Sequence, residues 1–372
     1  MKVKVKIKKN EGITLLVLVV TIIVILILST ITINMLTGEN GIIKNTEKAK
    51  EATEIADEKE IVQRATVNAM GKNKYGDLKQ SELEKQLNEE QEGKTEVTDV
   101  GDEFEILFKE SNRYYTVDKD GNISEPQEIL KDNYPGDITK GGMLDGSEEK
   151  PYEINCIEDL VVLSNMCNGS GVKFENGKAI DITTNDSFSG KKIILKRDLN
   201  FKSKYSYINS ERTDFGDING NNDDGNTLIT ELTTGTGFNS IGSGSETSDQ
   251  CTFLGIFNGK NHEITGLYQY RTDKYAGLFG WTRNGTKIEN IKIHGYIRTV
   301  STKYVATSVG GIIGRADGNI EINNCISNVK IESECFYGAG GMVGRIAGNS
   351  KITNCANFGE INVIPASWRW CF

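Results

Sequence analysis

The sequence predicts a mixed fold: an N-terminal transmembrane and stalk α-helix with a small α+β unit, then an all-β parallel β-solenoid. Three observations predict this order. An apolar run occupies positions 13–33, helix and strand patterns follow to residue 126, and a glycine-bounded motif recurs in the last hundred residues. The 372 residues are enough for two domains. Forty glycines against 4 prolines suit many tight turns between short strands.

The apolar run Ile13–Ile33 contains no charged residue. As a helix it spans about 30 Å, the thickness of the hydrocarbon core of a bilayer. Five lysines and one glutamate lie in the first eleven residues, so the N-terminus is expected in the cytoplasm. We therefore predict a transmembrane helix over residues 13–36. The protein would be a single-pass membrane protein with an extracellular C-terminal domain.

The junction before this helix carries a second signal. Residues 8–12 read KKNEG and lead directly into Ile13. This resembles the class III leader of type IV prepilins and pseudopilins. The resemblance implies that residues 1–12 are a leader, which prepilin peptidase removes by cutting after Gly12, and that Ile13 is then N-methylated.

Assembly into a filament is a separate question. In the pilin family the fifth mature residue is usually glutamate, which pairs with the N-terminal amine of a neighbouring pilin during assembly. The corresponding residue here is Val17. Two outcomes stay open: assembly with other pilins on a pilus, or a signal-anchored surface solenoid that is not built into a filament.

Residues 37–126 carry the pattern of a helix followed by a small sheet. Apolar residues recur near helical spacing over 42–65. Ser81 and Glu84 form a capping-box pattern, which predicts a short second helix. Strands are predicted over the ranges 103–108, 113–117 and 122–124. This order is the plan of the pilin family, and the resemblance covers residues 1–126.

Residues 127–148 are polar and rich in glycine, and we predict a linker there. The solenoid is predicted over residues 149–364. A short helix over residues 157–168 would plug its open end, because a stack of coils needs a polar cap.

The repeats define the solenoid. A GxxG motif occurs three times, with successive offsets of 34 and 30 residues, at Gly277, Gly280, Gly311, Gly314, Gly341 and Gly344. A short alternating strand follows each motif with the same offsets. Such strands cannot form a core alone, but stacked coils about 4.8 Å apart bury their apolar faces in one column. Asn290, Asn324 and Asn354 would form a ladder, and Cys325 would lie over Cys355, as buried thiols in preference to a disulfide.

These repeats resemble the GLUG motif of bacterial surface proteins, which include adhesins. The resemblance covers residues 149–364 and implies a cell-surface solenoid used for adhesion or other surface binding. Its surface ligand would be a glycan or a protein. Residues 365–372 depart from the repeat and form an atypical tail with two tryptophans.

Candidate chemical sites are few. A calcium loop is conceivable at alternating polar positions, Asp217, Asn219, Asn221 and Asp223, but a solvent-exposed insertion is the favoured interpretation. We find no zinc-protease, nucleophile-elbow or Walker motif, and expect no enzyme and no cofactor. The formal net charge of −9 argues against nucleic-acid binding. The alternative function is a carbohydrate-active β-helix, a polysaccharide lyase or hydrolase.

Overall fold

The computed structural model describes residues 42–72, 77–128, 135–175, 178–207, 225–244, 251–272, 275–300, 308–334 and 338–363. The chain divides into two compact units, residues 1–127 and 128–372. The predicted leader, the membrane helix over 13–36 and the tail over 365–372 lie outside the described residues. Within the described ranges, no helix combines the length and the apolar character needed to cross a bilayer.

The first unit packs two helices on a small antiparallel sheet. Its elements are α1 (Ile42–Gly71), α2 (Gln80–Gln91), β1 (Thr95–Asp99), β2 (Glu103–Phe108), β3 (Arg113–Asp118) and β4 (Gln127–Glu128). The strand order is β1-β2-β3-β4. The core joins the last turns of α1 to Leu83, Leu87 and the inner faces of β2 and β3.

Several details of this unit differ from the sequence-based expectation. The sequence does not predict strand β1, and the range predicted as a strand over 122–124 holds only an isolated bridge between Ile123 and Val117. The Ser81–Glu84 capping box is wrong, because α2 begins at Gln80 after the N-cap residue Lys79, which makes no side-chain cap. Much of the apolar pattern of α1 is exposed, whereas Val62 and Ala65 are fully buried. The helix is therefore packed mainly through its C-terminal half.

The described part of the second unit contains two α-helices, α3 (Ile157–Asn168) and α4 (Gly225–Thr233), and one 3₁₀ turn, Lys204–Ser206. Its strands are β5 (Tyr152–Ile154), β6 (Val172–Glu175), β7 (Lys178–Asp181), β8 (Lys192–Leu195), β9 (Leu199–Asn200), β10 (Ile256–Asn258), β11 (Glu263–Arg271), β12 (Phe279–Arg283), β13 (Lys287–Glu289), β14 (Lys292–Thr299), β15 (Ser308–Gly310), β16 (Ile313–Asp317), β17 (Glu321–Asn323), β18 (Ile326–Ser333), β19 (Gly338–Gly340), β20 (Val343–Ala347), β21 (Lys351–Thr353), β22 (Ala356–Asn357) and β23 (Ile361–Val363).

Apart from β6 and β7, which form an antiparallel pair, these strands form a parallel β-solenoid, as the sequence predicts. The first sheet runs β5-β8-β10-β13-β17-β21, and the second runs β9-β11-β14-β18-β22, with β23 also paired to β18. The third sheet is β12-β16-β20. The register keeps the repeats aligned, because Ile288 pairs with Ile322 and Ile322 pairs with Ile352. Apolar residues of successive coils therefore share one core.

Helix α3 packs into this core beside the first coil. Ile157, Leu160 and Leu163 are fully buried. The Ser164 hydroxyl donates to the carbonyl of Asn239 at 2.7 Å, and Asn168 Nδ2 donates to the carbonyl of Ser240 at 2.9 Å. The helix thus covers apolar residues at the start of the solenoid.

Residues 135–148, which the sequence assigns to a linker, contribute to the second unit. Ile138 is 1% exposed and belongs to the solenoid core. The Gly136 amide donates to Asp159 Oδ1 at 2.8 Å, and Lys140 Nζ lies 3.4 Å from Asp159 Oδ2. The glycines that suggest a flexible segment instead make tight turns at positive φ.

Candidate functional site

The outward side of the second sheet carries an array of aligned polar and aromatic side chains. Along β14, Ile293 and Ile297 are buried, while Lys292 and Arg298 are exposed. Side chains two residues apart lie on the same side of a strand, so His294 and Tyr296 share the outward side with Lys292 and Arg298. We call this surface the outer face; it comprises Glu263, Tyr268, Tyr270, Lys292, His294, Tyr296, Arg298, Asn328, Lys330, Glu332 and Glu360.

The parallel register lines up these side chains from coil to coil. Tyr268 is paired with Tyr296, and Tyr296 with Lys330. Tyr270 is paired with Arg298, and Arg298 with Glu332. Neighbouring strands lie about 4.8 Å apart, so each pair of side chains is in direct contact range.

Two aromatic contacts join side chains at the centre of the outer face. The rings of Tyr268 and Tyr296 stack with centroids 6.0 Å apart and an interplanar angle of 21°. The guanidinium of Arg298 lies 5.9 Å from the centroid of the Tyr270 ring, within the range of a cation–π interaction. Each contact joins adjacent coils.

Polar contacts extend this order across the face. The Tyr296 hydroxyl donates to Glu332 Oε2 at 2.6 Å. Lys330 Nζ lies 3.3 Å from Glu332 and 3.6 Å from Glu360. The pKa of Glu332 is lowered, first because it accepts the hydrogen bond from Tyr296 and then because of Lys330. The carboxylate is therefore ionised at neutral pH.

A histidine–carboxylate pair occupies the edge of the face. His294 Nε2 lies 2.6 Å from Glu263 Oε1, and His294 Nδ1 lies 3.1 Å from Asn328 Nδ2. In the neutral ring, Nε2–H donates to the carboxylate and Nδ1 accepts from the amide. The hydrogen bond from His294 lowers the pKa of Glu263. Both ring nitrogens are engaged within the face, which favours a positioning role over acid–base chemistry.

The six repeat-defining glycines lie in the coils, away from the outer face, and their role is structural. A Cβ at Gly314 would lie 2.8 Å from both Ala276 N and Gly280 O. Backbone atoms cannot move aside as a flexible side chain can, so any larger residue would separate the coils. These glycines permit close stacking between neighbouring coils.

The cysteine ladder predicted from the repeats is present, and the asparagine ladder is present in part, because Asn354 bonds Asn323 in place of Asn324. Asn324 Nδ2 donates to Asn290 Oδ1 at 2.8 Å, and Asn354 Nδ2 donates to Asn323 Oδ1 at 3.2 Å. Cys325 and Cys355 precede the paired residues Ile326 and Ala356, and both are free thiols. Burial raises the pKa of Cys325 to about 12, which keeps it unreactive at neutral pH.

Other predicted site residues lie outside the part of the chain that the structure describes. Gly12, Ile13 and Val17 lie outside the described residues, and so do the four calcium candidates, Asp217, Asn219, Asn221 and Asp223. In the part of the chain that is described, no group of three or more His, Cys, Asp or Glu side chains is placed to hold a metal ion.

The sequence pattern did not single out the outer face. Tyr268, Tyr296 and Glu332 belong to three different coils, and only the register of the coils brings them together. The sequence feature that could have indicated this surface is the alternation in β14, where polar residues at every second position indicate a solvent-facing row.

Comparison with family models, curated proteins and solved structures found no significant match for this chain.

Proposed function

We propose that this chain is a membrane-anchored cell-surface binding protein, whose solenoid presents the outer face to a ligand. One observation carries the proposal. Side chains from successive coils form a mutually contacting array of tyrosine, arginine, histidine and carboxylate groups on the outward side of the sheet. A preorganised polar array loses little side-chain entropy on binding.

The membrane anchor is part of this proposal. It is supported by the uncharged run Ile13–Ile33 and by the lysines that precede it. The junction at Gly12 and Ile13 supports processing by prepilin peptidase. Incorporation into a filament with other pilins belongs to the same proposal, and the alternative is an anchored solenoid without a filament.

Processing is tested by intact mass and N-terminal sequencing of protein from membranes and from sheared surface material. We expect a chain that begins with N-methylated Ile13. Its presence in the sheared fraction would support a filament component. A chain that begins at Met1 and occurs only in the membrane fraction would contradict prepilin processing.

Binding is tested with cells that display the full chain. Their retention on polysaccharide-coated, protein-coated and bare surfaces is compared with that of cells lacking the chain. We expect retention on at least one surface to fall about tenfold in Tyr268→Ala/Arg298→Ala cells, because both side chains belong to the proposed binding array. Equal retention of wild-type and deletion cells on every surface would contradict a binding role.

A further inference from the structure

Building on the surface-binding role proposed above, we infer that the outer face binds an uncharged polysaccharide chain. The charges of the face cancel locally. Its three cations are Lys292, Arg298 and Lys330. Its three carboxylates are Glu263, Glu332 and Glu360. A polyanion would be repelled by the carboxylates, and a polycation would be repelled by the cations. Neither kind of polymer therefore gains net electrostatic attraction from the face as a whole.

Hydroxyl groups suit this array because they both donate and accept hydrogen bonds. The face offers donors at Arg298, Lys292 and Lys330, and it offers acceptors at its carboxylate oxygens. A ligand rich in hydroxyls can satisfy both kinds of group without bringing a charge into an acidic protein of net charge −9.

The geometry of the face is periodic, which favours a polymer over a small molecule. Outward residues repeat about every 6.6 Å along β14 and β18 and about every 4.8 Å from coil to coil, while an irregularity in β11 places Glu263 and Tyr268 five residues apart. The row from Lys292 to Arg298 is about 20 Å long at the usual rise of a strand. A chain of repeating units can make the same contact several times along such a row.

A folded protein is a poorer fit. Protein interfaces depend on aromatic or arginine anchors that insert into pockets of the partner. Here the rings of Tyr268 and Tyr296 cover one another, and Arg298 lies against Tyr270. The backbone groups of β14 are bonded to β11 and β18, so strand addition by a peptide is not available on this face.

The test uses the full chain in detergent micelles and a pair of matched double variants. Arg298→Gln/Glu332→Gln removes one cation and one anion that are paired across two coils of the outer face. Lys287→Gln/Glu321→Gln removes an exposed pair, 3.0 Å apart, from the outward side of the first sheet in the corresponding coils. Neither variant changes the net charge.

The probes are soluble neutral polysaccharides (a β-glucan, a xylan and a dextran), with polygalacturonate and polyglutamate as charged comparisons. Affinity is measured by affinity electrophoresis and calorimetry, and melting curves confirm that both variants fold. We expect at least one neutral polysaccharide to bind independently of salt. Its affinity should fall about tenfold or more in the outer-face variant and change less than about twofold in the control.

Three results would overturn the inference: no binding of any neutral polysaccharide, tighter binding of a polyanion that salt abolishes, or equal losses in the two variants. The cell-retention experiment distinguishes a failure of the polysaccharide inference from a failure of the proposed binding role. Displaying cells that are still retained on protein-coated surfaces, while neutral polysaccharides do not bind, would refute the polysaccharide inference alone. Absence of retention on every surface would refute the binding role.

Discussion

At the scale of single residues, the first unit depends on one buried charge pair. Arg113 Nε donates to Glu58 Oε2 at 2.9 Å, and the side chains are 7% and 11% exposed. The Tyr115 hydroxyl donates to the same carboxylate at 2.9 Å. Burial, and then this hydrogen bond, raises the pKa of Tyr115 well above its usual value. The contacts join α1 to β3.

Removal of the Glu58 carboxylate should therefore lower the stability of the first unit. We expect Glu58→Gln to lower the free energy of unfolding of the first unit by about 1.5–3 kcal/mol, because the buried Arg113 loses its charged hydrogen-bond partner and, among the described residues, keeps only the 3.4 Å contact with Glu54. The control is Glu110→Gln, which removes the exposed Lys94–Glu110 pair and should cost about 0–1 kcal/mol. Urea unfolding of each variant measures the difference, and equal costs would contradict the importance of the buried pair.

The Glu263–His294 pair should make stability depend on pH. The folded-state pKa of Glu263 is lowered, so its carboxylate adds stability above the unfolded pKa of about 4.3. That contribution is lost as the pH falls through the folded pKa. We expect the melting temperature of the wild type to fall more steeply below about pH 5 than that of His294→Ala. Identical slopes in thermal scans from neutral to acidic pH would show that the pair is unimportant.

At the scale of elements, the corner between the first and second sheets has a defined backbone. Asn290, Asn324 and Asn354 adopt positive φ angles of 56°, 53° and 53°. Asparagine tolerates this left-handed conformation better than most residues, and its amide also bonds along the ladder. Conformation and hydrogen bonding are thus combined in one side chain.

Two substitutions at Asn324 separate these contributions. Asn324→Gly keeps the left-handed backbone and loses the amide bonds, whereas Asn324→Ala loses the bonds and also adds strain. We expect the alanine variant to be about 1–2 kcal/mol less stable than the glycine variant. Urea midpoints provide the comparison, and equal midpoints would mean that the corner conformation carries no cost.

At the scale of the whole molecule, burial changes along the solenoid. Ile322 is 2% exposed, while its register partner Ile352 in the last described coil is 39% exposed. The same contrast separates Ile331 at 0% from Ile361 at 39%. Residues with the same place in the repeat thus contribute differently, because a core position needs a neighbouring coil on each side.

The difference in burial between Ile322 and Ile352 can be tested with the same substitution at both positions. We expect Ile322→Ala to cost about 2–5 kcal/mol, because it leaves a cavity in a packed column. Ile352→Ala should cost about 1 kcal/mol, because much of its side chain already contacts solvent. Unfolding of the full chain measures both, and hydrogen exchange should show faster exchange in β21 than in β13. Equal costs would indicate that the last coil is as well packed as the inner ones.

Several elements follow from local sequence alone. Helix α3 and strand β2 have the predicted bounds, because an apolar period and its flanking residues define each one. Other features required the folded chain. The burial of Ile138 depends on contacts with residues outside its own segment. Helix α2 begins before the predicted capping box, without a side-chain cap, and packs Leu83 and Leu87 into the core of the first unit.

The sequence by itself determined that the coils stack and in which register, since each repeat carries its own glycines, strand and asparagine corner. The tertiary structure alone decided which outward side chains meet. Tyr296 is in register with Lys330, 34 residues on, but its hydroxyl donates to Glu332, two residues further along the strand. The physical reason is that the repeat offsets specify which strand positions are in register, whereas the side-chain rotamers in the folded chain decide whether a side chain contacts its register partner or the residue diagonal to it.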